Sequence, residues 1–223
     1  MSDSNILLSS LPDLIVLAFT IFGVFMLFSK KRPLYFSIAM FAVVSGTAEF
    51  VYNALLYMCS MEDYAFYNLG SLAVSGFYAF MFSANYGQFD SIVDGGQKAY
   101  KKARILAFIA PILLLGVSAA TIVSSDFGSV LYWIIMVVPL LVMIPCSYFN
   151  LKVILMKDDG MNFVKGAKPV NIASLLYIFL QTLSMISSAI GSMQIATIAY
   201  YGLALVLIGM VFCILYGRKQ WIS

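Results

Sequence analysis

The chain has 223 residues, of which 62% are hydrophobic and 10% charged, with a mean hydropathy of +0.96 and a net charge of +3. A soluble domain carries about 25% charged residues, so this chain has too little polar side chain to cover a water-facing surface. Nucleic-acid binding, soluble oxidoreductase folds and secreted disulfide scaffolds are excluded on that ground. The chain has no histidine, which removes His-liganded zinc or haem iron and any catalytic His dyad. Cys59, Cys146 and Cys213 form no CxxC pair. No metal or other cofactor is expected.

Seven apolar runs reach the roughly 20 residues that a helix needs to cross a bilayer. In chain order they cover residues 7–28, 34–58, 64–83, 105–123, 130–154, 170–190 and 195–216. They are too long and continuous for barrel strands. The first is not a signal peptide, because Asp3 precedes it and Lys30, Lys31 and Arg32 follow it. The expected fold is an all-α membrane protein: one seven-transmembrane-helix bundle over residues 1–223.

The connections predict its orientation. Lys30, Lys31 and Arg32 follow the first span, and Lys98, Lys101, Lys102 and Arg104 follow the third. Lys152, Lys157, Lys165 and Lys168 surround the end of the fifth, and Arg218 and Lys219 close the chain. These are all 13 bases, and the opposite side holds only Asp3, Glu62, Asp63 and Asp126. The positive-inside rule then puts the N-terminus outside and the C-terminus inside, in a multi-pass protein of the cell membrane. The outer connections, 59–63, 124–129 and 191–194, leave no room for an external domain. The inner segments 84–104, with its Asp94-Gly95-Gly96 turn, and 155–169 are read as loops open to a cytoplasmic signalling partner or to anionic lipid headgroups. Their bland role is to set topology. A homodimer is left open, and no internal repeat points to an inverted-repeat transporter.

Polar residues at membrane depth are costly, and they are the best site candidates. Glu49 lies near the middle of the second span, with Asn53 one turn outward on the same face. Asp13, Asn68, Gln181 and Tyr200 (or Tyr201) are expected at similar depth on other spans. Together they outline a ligand site in the outer half of the bundle. No base stands on that side, so a neutral or cationic small molecule suits it better than an anion. The bland alternatives are that Glu49 only bonds a neighbouring helix and that Asp13, after Pro12, caps the first helix. Tyr52, Tyr57, Tyr64, Tyr67, Tyr132 and Trp133 are read mostly as an interfacial aromatic belt, with a cation-binding aromatic box as the alternative. The inner halves of the spans are read as nearly free of polar groups apart from hydroxyls such as Ser29, Ser37 and Ser147. Pro139 and Pro145 mark the fifth span for a bend, and Pro111 the fourth.

The seventh span has no lysine for a retinal Schiff base, and no Gly-x-Ser-x-Gly elbow, Walker loop or paired-carboxylate constellation is present. An enzyme is therefore not expected. Lys30-Lys31-Arg32-Pro33-Leu34-Tyr35, Asn85-Tyr86-Gly87-Gln88-Phe89-Asp90-Ser91 and Tyr132-Trp133 give the chain a resemblance. It resembles the N-terminal seven-helix sensory module of clostridial-type signalling proteins, over nearly its whole length. The resemblance implies a diguanylate cyclase or histidine kinase output domain after the last helix. Only residues 217–223 follow that helix here, so the expectation is a stand-alone sensor or a module without its output domain. The two functions weighed are a receptor for a small neutral or cationic signal and a small transporter or channel using Glu49 as its ion or proton coupling site. A purely structural subunit is the third. The one-sided polar cluster favours the receptor.

Overall fold

A computed structural model describes residues 3–29, 31–59, 64–124, 130–157 and 161–222, excluding the side chains of residues 3–9, 57, 64–69, 71, 130–136, 188 and 222. Every regular element among the described residues is helical. The α-helices are α1 (Asp3–Phe28), α2 (Leu34–Met58), α3 (Tyr64–Asn85), α4 (Lys101–Ala107), α5 (Ile109–Ser124), α6 (Val130–Leu155), α7 (Asn162–Ile190) and α8 (Met193–Ile222). A π-helical segment, Tyr86–Asp94, extends α3, and a short 3₁₀ turn, Lys98–Tyr100, leads into α4. Among the described residues, six stretches are long and apolar enough to cross a membrane: Ser10–Phe28, Leu34–Leu56, Lys98–Ser124, Val137–Leu155, Asn162–Ser187 and Met193–Trp221. Hydrocarbon offers the backbone no hydrogen-bond partners, so apolar runs of this length close all their bonds internally as helix. The bundle turns bulky apolar side chains outward, among them Phe25 at 72% and Leu205 at 69% exposure. Lipid accommodates such a surface and water does not.

α8 packs against α1, α2 and α7. α3 sits between α2 and α6, and α5 lies against α6 and α7. The described lysines and arginines gather at one end of the bundle, here called the basic end. Arg218 of α8 donates to the carbonyl of Met26 on α1 at 2.9 Å. The Phe89 ring of the π-helical segment stacks on Phe163 of α7 at 4.7 Å between centroids, and Phe163 meets Trp221 of α8 at 4.7 Å. Tyr35 at the start of α2 packs edge-on to both Phe89 and Phe163. This aromatic cluster ties four elements together at the basic end, and pairs of this kind add about 0.5–1.5 kcal/mol each beyond burial.

Several expected boundaries are corrected. The segment 84–104 is not a loop: the π-helical segment carries the helix on from α3 to Asp94, and the chain turns at Gly95 and Gly96, whose φ angles are 47° and 79°. The segment 155–169 is also mostly helix, because α7 begins at Asn162 and carries Pro169 inside it. α1 begins at Asp3, so Pro12 and Asp13 lie within it. The fourth span begins in the 3₁₀ turn and is broken at Phe108, whose N–H bonds back three residues to Ile105. Pro111 lies three residues further on. A proline there has no N–H for the carbonyl four residues back and its ring crowds that carbonyl, which accounts for a break in this turn. Pro139 and Pro145 both sit inside the single continuous helix α6.

α7 and α8 cross at Gly166 and Gly217. A Cβ added to Gly217 would lie 2.5 Å from the Gly166 carbonyl oxygen and 2.5 Å from the Phe36 ring. Small residues at such crossings let backbones approach closely. Gly217→Ala is expected to destabilise the bundle by about 1–3 kcal/mol, the usual cost of overpacking. Thermal unfolding in detergent measures this, and a Gly209→Ala control, with no atom within 4 Å of its added Cβ, should be nearly neutral.

Candidate functional site

In the half of the bundle away from the bases, Glu49 on α2 accepts a hydrogen bond from Gln181 Nε2 on α7 at 2.9 Å. Gln181 is thus the partner from another helix that the depth argument required. One turn along α7 the Tyr177 hydroxyl is buried beside the same carboxyl, without a bond of good geometry. Asn53, one turn further along α2, faces Gly70 of α3. A Cβ there would lie 3.3 Å from Asn53 Oδ1 and 3.7 Å from Glu49 Cγ. Asn53 Oδ1 is buried and has no hydrogen-bond partner among the described residues.

A second pair lies close by. Asp13 on α1 is 4% exposed and accepts a hydrogen bond from the Tyr200 hydroxyl of α8. The Tyr200 ring packs on Phe50 of α2 at 5.2 Å. Tyr200 also lies within electrostatic reach of Glu49. Asp13 is therefore not a helix cap. It sits inside α1, and its carboxyl is taken up by a side chain of another helix. Tyr201, half exposed, stays outside the cluster. The side chains of Asn68, Tyr57, Tyr64, Tyr67, Tyr132 and Trp133 lie outside the described residues.

The basic half of the bundle is not free of polar groups, as the sequence had suggested. Asn85 of α3, Asn150 of α6 and Asn171 of α7 meet there, all fully buried. Asn85 Nδ2 donates to Asn150 Oδ1 at 2.7 Å and to Asn171 Oδ1 at 2.8 Å. Asn150 Nδ2 donates to Ser174 Oγ at 2.7 Å. Asn171 Nδ2 donates to the Tyr35 hydroxyl at 2.8 Å and to the Ala167 carbonyl at 2.9 Å. Each amide's orientation follows from its neighbour's, so the network has one consistent donor direction. Asn150 and Asn171 stood inside their expected spans, and the high cost of an amide in hydrocarbon was the signal that could have revealed them. Asn85 lay two residues beyond its expected span.

A charged cluster follows towards the basic end. Lys152 of α6 is 1% exposed and pairs with Asp90 and Asp94 of the π-helical segment. Arg104 approaches Asp94 at 3.7 Å and donates to the carbonyls of Gly96 and Gln97. Removing one member of a buried ion pair typically costs about 3–5 kcal/mol, since the other charge is left without compensation. The helix α7 joins the two halves. Asn171, Ser174, Tyr177 and Gln181 recur every three or four residues, which puts them on one face. Among the described residues no group of three His, Cys, Asp or Glu side chains could hold a metal ion.

Asn150→Leu would leave the Ser174 hydroxyl and one Asn85 donor without partners. It is expected to lower stability by about 1–3 kcal/mol, read as a lower midpoint of thermal unfolding in detergent. Ser37→Ala, whose hydroxyl bonds only the carbonyl one turn back at 3.5 Å, should change the midpoint little.

No family model, no curated protein and no solved structure matches this chain.

Proposed function

We propose that this chain is a seven-span receptor of the cell membrane, N-terminus outside and C-terminus inside, that responds to a small neutral or cationic signal and relays it to a cytoplasmic partner. The observation that carries the reading is the polar face of α7. It runs from the Glu49–Gln181 pair to the asparagine network, and the Lys152–Asp90–Asp94 cluster follows. A change in how Glu49 or Asp13 is bonded shifts helices that are bonded again at the other end, where exposed Lys98, Lys101, Lys102 and Lys165 offer a partner a basic surface. The resemblance to bacterial seven-helix sensory modules supports the same reading. Polar groups that bond each other across packed helices suit a relay, because interlocked elements have discrete arrangements.

The transporter or channel reading with Glu49 as coupling site gains from the asparagine network, which supplies the polar continuation that a permeation path needs. The two readings separate experimentally. With the native cysteines replaced, spin labels at Ser91→Cys and Lys165→Cys report the distance between the π-helical segment and α7. A shift to mildly acidic pH, or added tetramethylammonium, is expected to change that distance. Glu49→Gln should abolish the change with little loss of thermal stability, and Glu49→Leu should lower stability. An unchanged response in Glu49→Gln would defeat the receptor reading. Proton or tetramethylammonium uptake into proteoliposomes that Glu49→Gln abolishes would establish the transporter instead. For orientation, a cysteine at Gly95 should be labelled by an impermeant reagent only after the cells are opened.

A further inference from the structure

A groove of about 890 Å³ runs along the lipid-facing seam between α1 and α2. Its floor is closed by the hydrogen bond between the Thr20 and Thr47 hydroxyls at 2.7 Å. The remaining walls are almost wholly apolar, with Val24, Phe28, Phe41 and Val44 at the half nearer the basic end. Both threonine hydroxyls are satisfied within the protein, since Thr47 also bonds the Val43 carbonyl at 2.9 Å. Along Val24, Phe28, Phe41 and Val44 the groove is apolar, and the paired threonines offer no free polar group at its floor, so a hydrocarbon chain costs little in desolvation there. At α1's rise of about 1.5 Å per residue, from Leu17 to Phe28 the groove spans about 16 Å. One leaflet of a bilayer core is about 15 Å deep.

The basic end of the groove is topped by charge. The Arg32 guanidinium lies 3.8 Å from the centroid of the Phe28 ring that forms the groove wall. It is held there by a bond from its Nη1 to the Phe28 carbonyl at 3.2 Å. Lys31 and Arg32 are both exposed, and among the described residues no carboxylate pairs with either. A cation fixed against an aromatic wall at the membrane–water boundary, above an acyl-sized apolar groove, has the two parts that a phospholipid requires. Arginine's planar fork suits a phosphate.

We infer that the α1–α2 groove is a binding site for an anionic phospholipid, its acyl chain lying along Val24, Phe28, Phe41 and Val44 and its phosphate held by Lys31 and Arg32. The inference rests on the membrane reading and not on the signalling one.

Native mass spectrometry of the protein extracted from nanodiscs of equal phosphatidylglycerol and phosphatidylcholine tests it. The wild type is expected to retain phosphatidylglycerol in preference. Each of Lys31→Gln and Arg32→Gln should lower that preference about fivefold, the usual effect of one base near an anionic surface. Val44→Trp fills the groove and should reduce retention of both lipids while leaving the preference of what remains. Circular dichroism confirms that each variant is folded, and Arg32→Lys serves as the variant that keeps the charge. Equal retention of the two lipids by the wild type, or no change in either glutamine variant, would overturn the site. So would a dimer that Val44→Trp abolishes without loss of lipid, which would make the groove an interface between two copies.

Discussion

An amide buried among apolar helices has no water to fall back on, and the three asparagines in the basic half of this bundle meet most of that constraint by bonding one another, with only Asn85 Oδ1 of their amide atoms left buried without a partner among the described residues. Asn85 spends both its N–H groups on Asn150 and Asn171, which binds α3, α6 and α7 at one level. Asn171 extends the bond to Tyr35 on α2. Apolar packing alone leaves helices free to slide, because lipid is as apolar as leucine and offers little drive for one contact over another. Directional bonds remove that freedom. The network thus sets the relative heights of four helices, and the positions of Glu49 and Lys152 depend on it.

Close backbone approach does the complementary work. Gly166 and Gly217 bring α7 and α8 together at the basic end, and a Cβ on Gly23 of α1 would lie 2.5 Å from a Val211 methyl of α8. With α8 drawn against both α1 and α7, the Asp13–Tyr200 and Glu49–Gln181 pairs fall in neighbouring positions although they come from four different helices. At the opposite end the π-helical turns after Asn85 change the facing of α3, and π-helical geometry often marks functional positions. The same segment carries both Asp90 and Asp94 to Lys152. On α7, Gln181 holds the Glu49 pair at one end of the polar face and Asn171 joins the asparagine network at the other.

The membrane class, the positions of most helices and the gathering of bases at one end were legible from residue order, because each depends on local runs of apolar or charged residues. The boundaries of α2 were read correctly, since Pro33 precedes its first residue and its apolar run continues to Met58 around the few polar residues it carries. α3 and α7 were read too short. Both continue past the apolar run into residues that hydropathy alone scores as loop, such as Gln88 and Asp90 or Lys165 and Lys168. Packing of Phe89 and Phe163 against Tyr35 keeps those turns helical.

The candidate site divides in the same way. That Glu49 must turn inward and find a partner follows from the cost of a carboxyl in lipid, and Gln181 was among the few groups at matching depth. Asp13 was open between a ligand-site residue and a cap of the first helix, because residue order alone does not say which helix faces it. Only the approach of α8 gives it Tyr200. The side-chain pairs of the asparagine network and of Lys152 join residues 24 to 136 positions apart in the chain. Sequence determined which residues could not remain unpaired in hydrocarbon. Tertiary structure alone decided which of them meet, because that choice depends on helix rotation and height, and these are set by glycine contacts and bond directions with no local periodic trace.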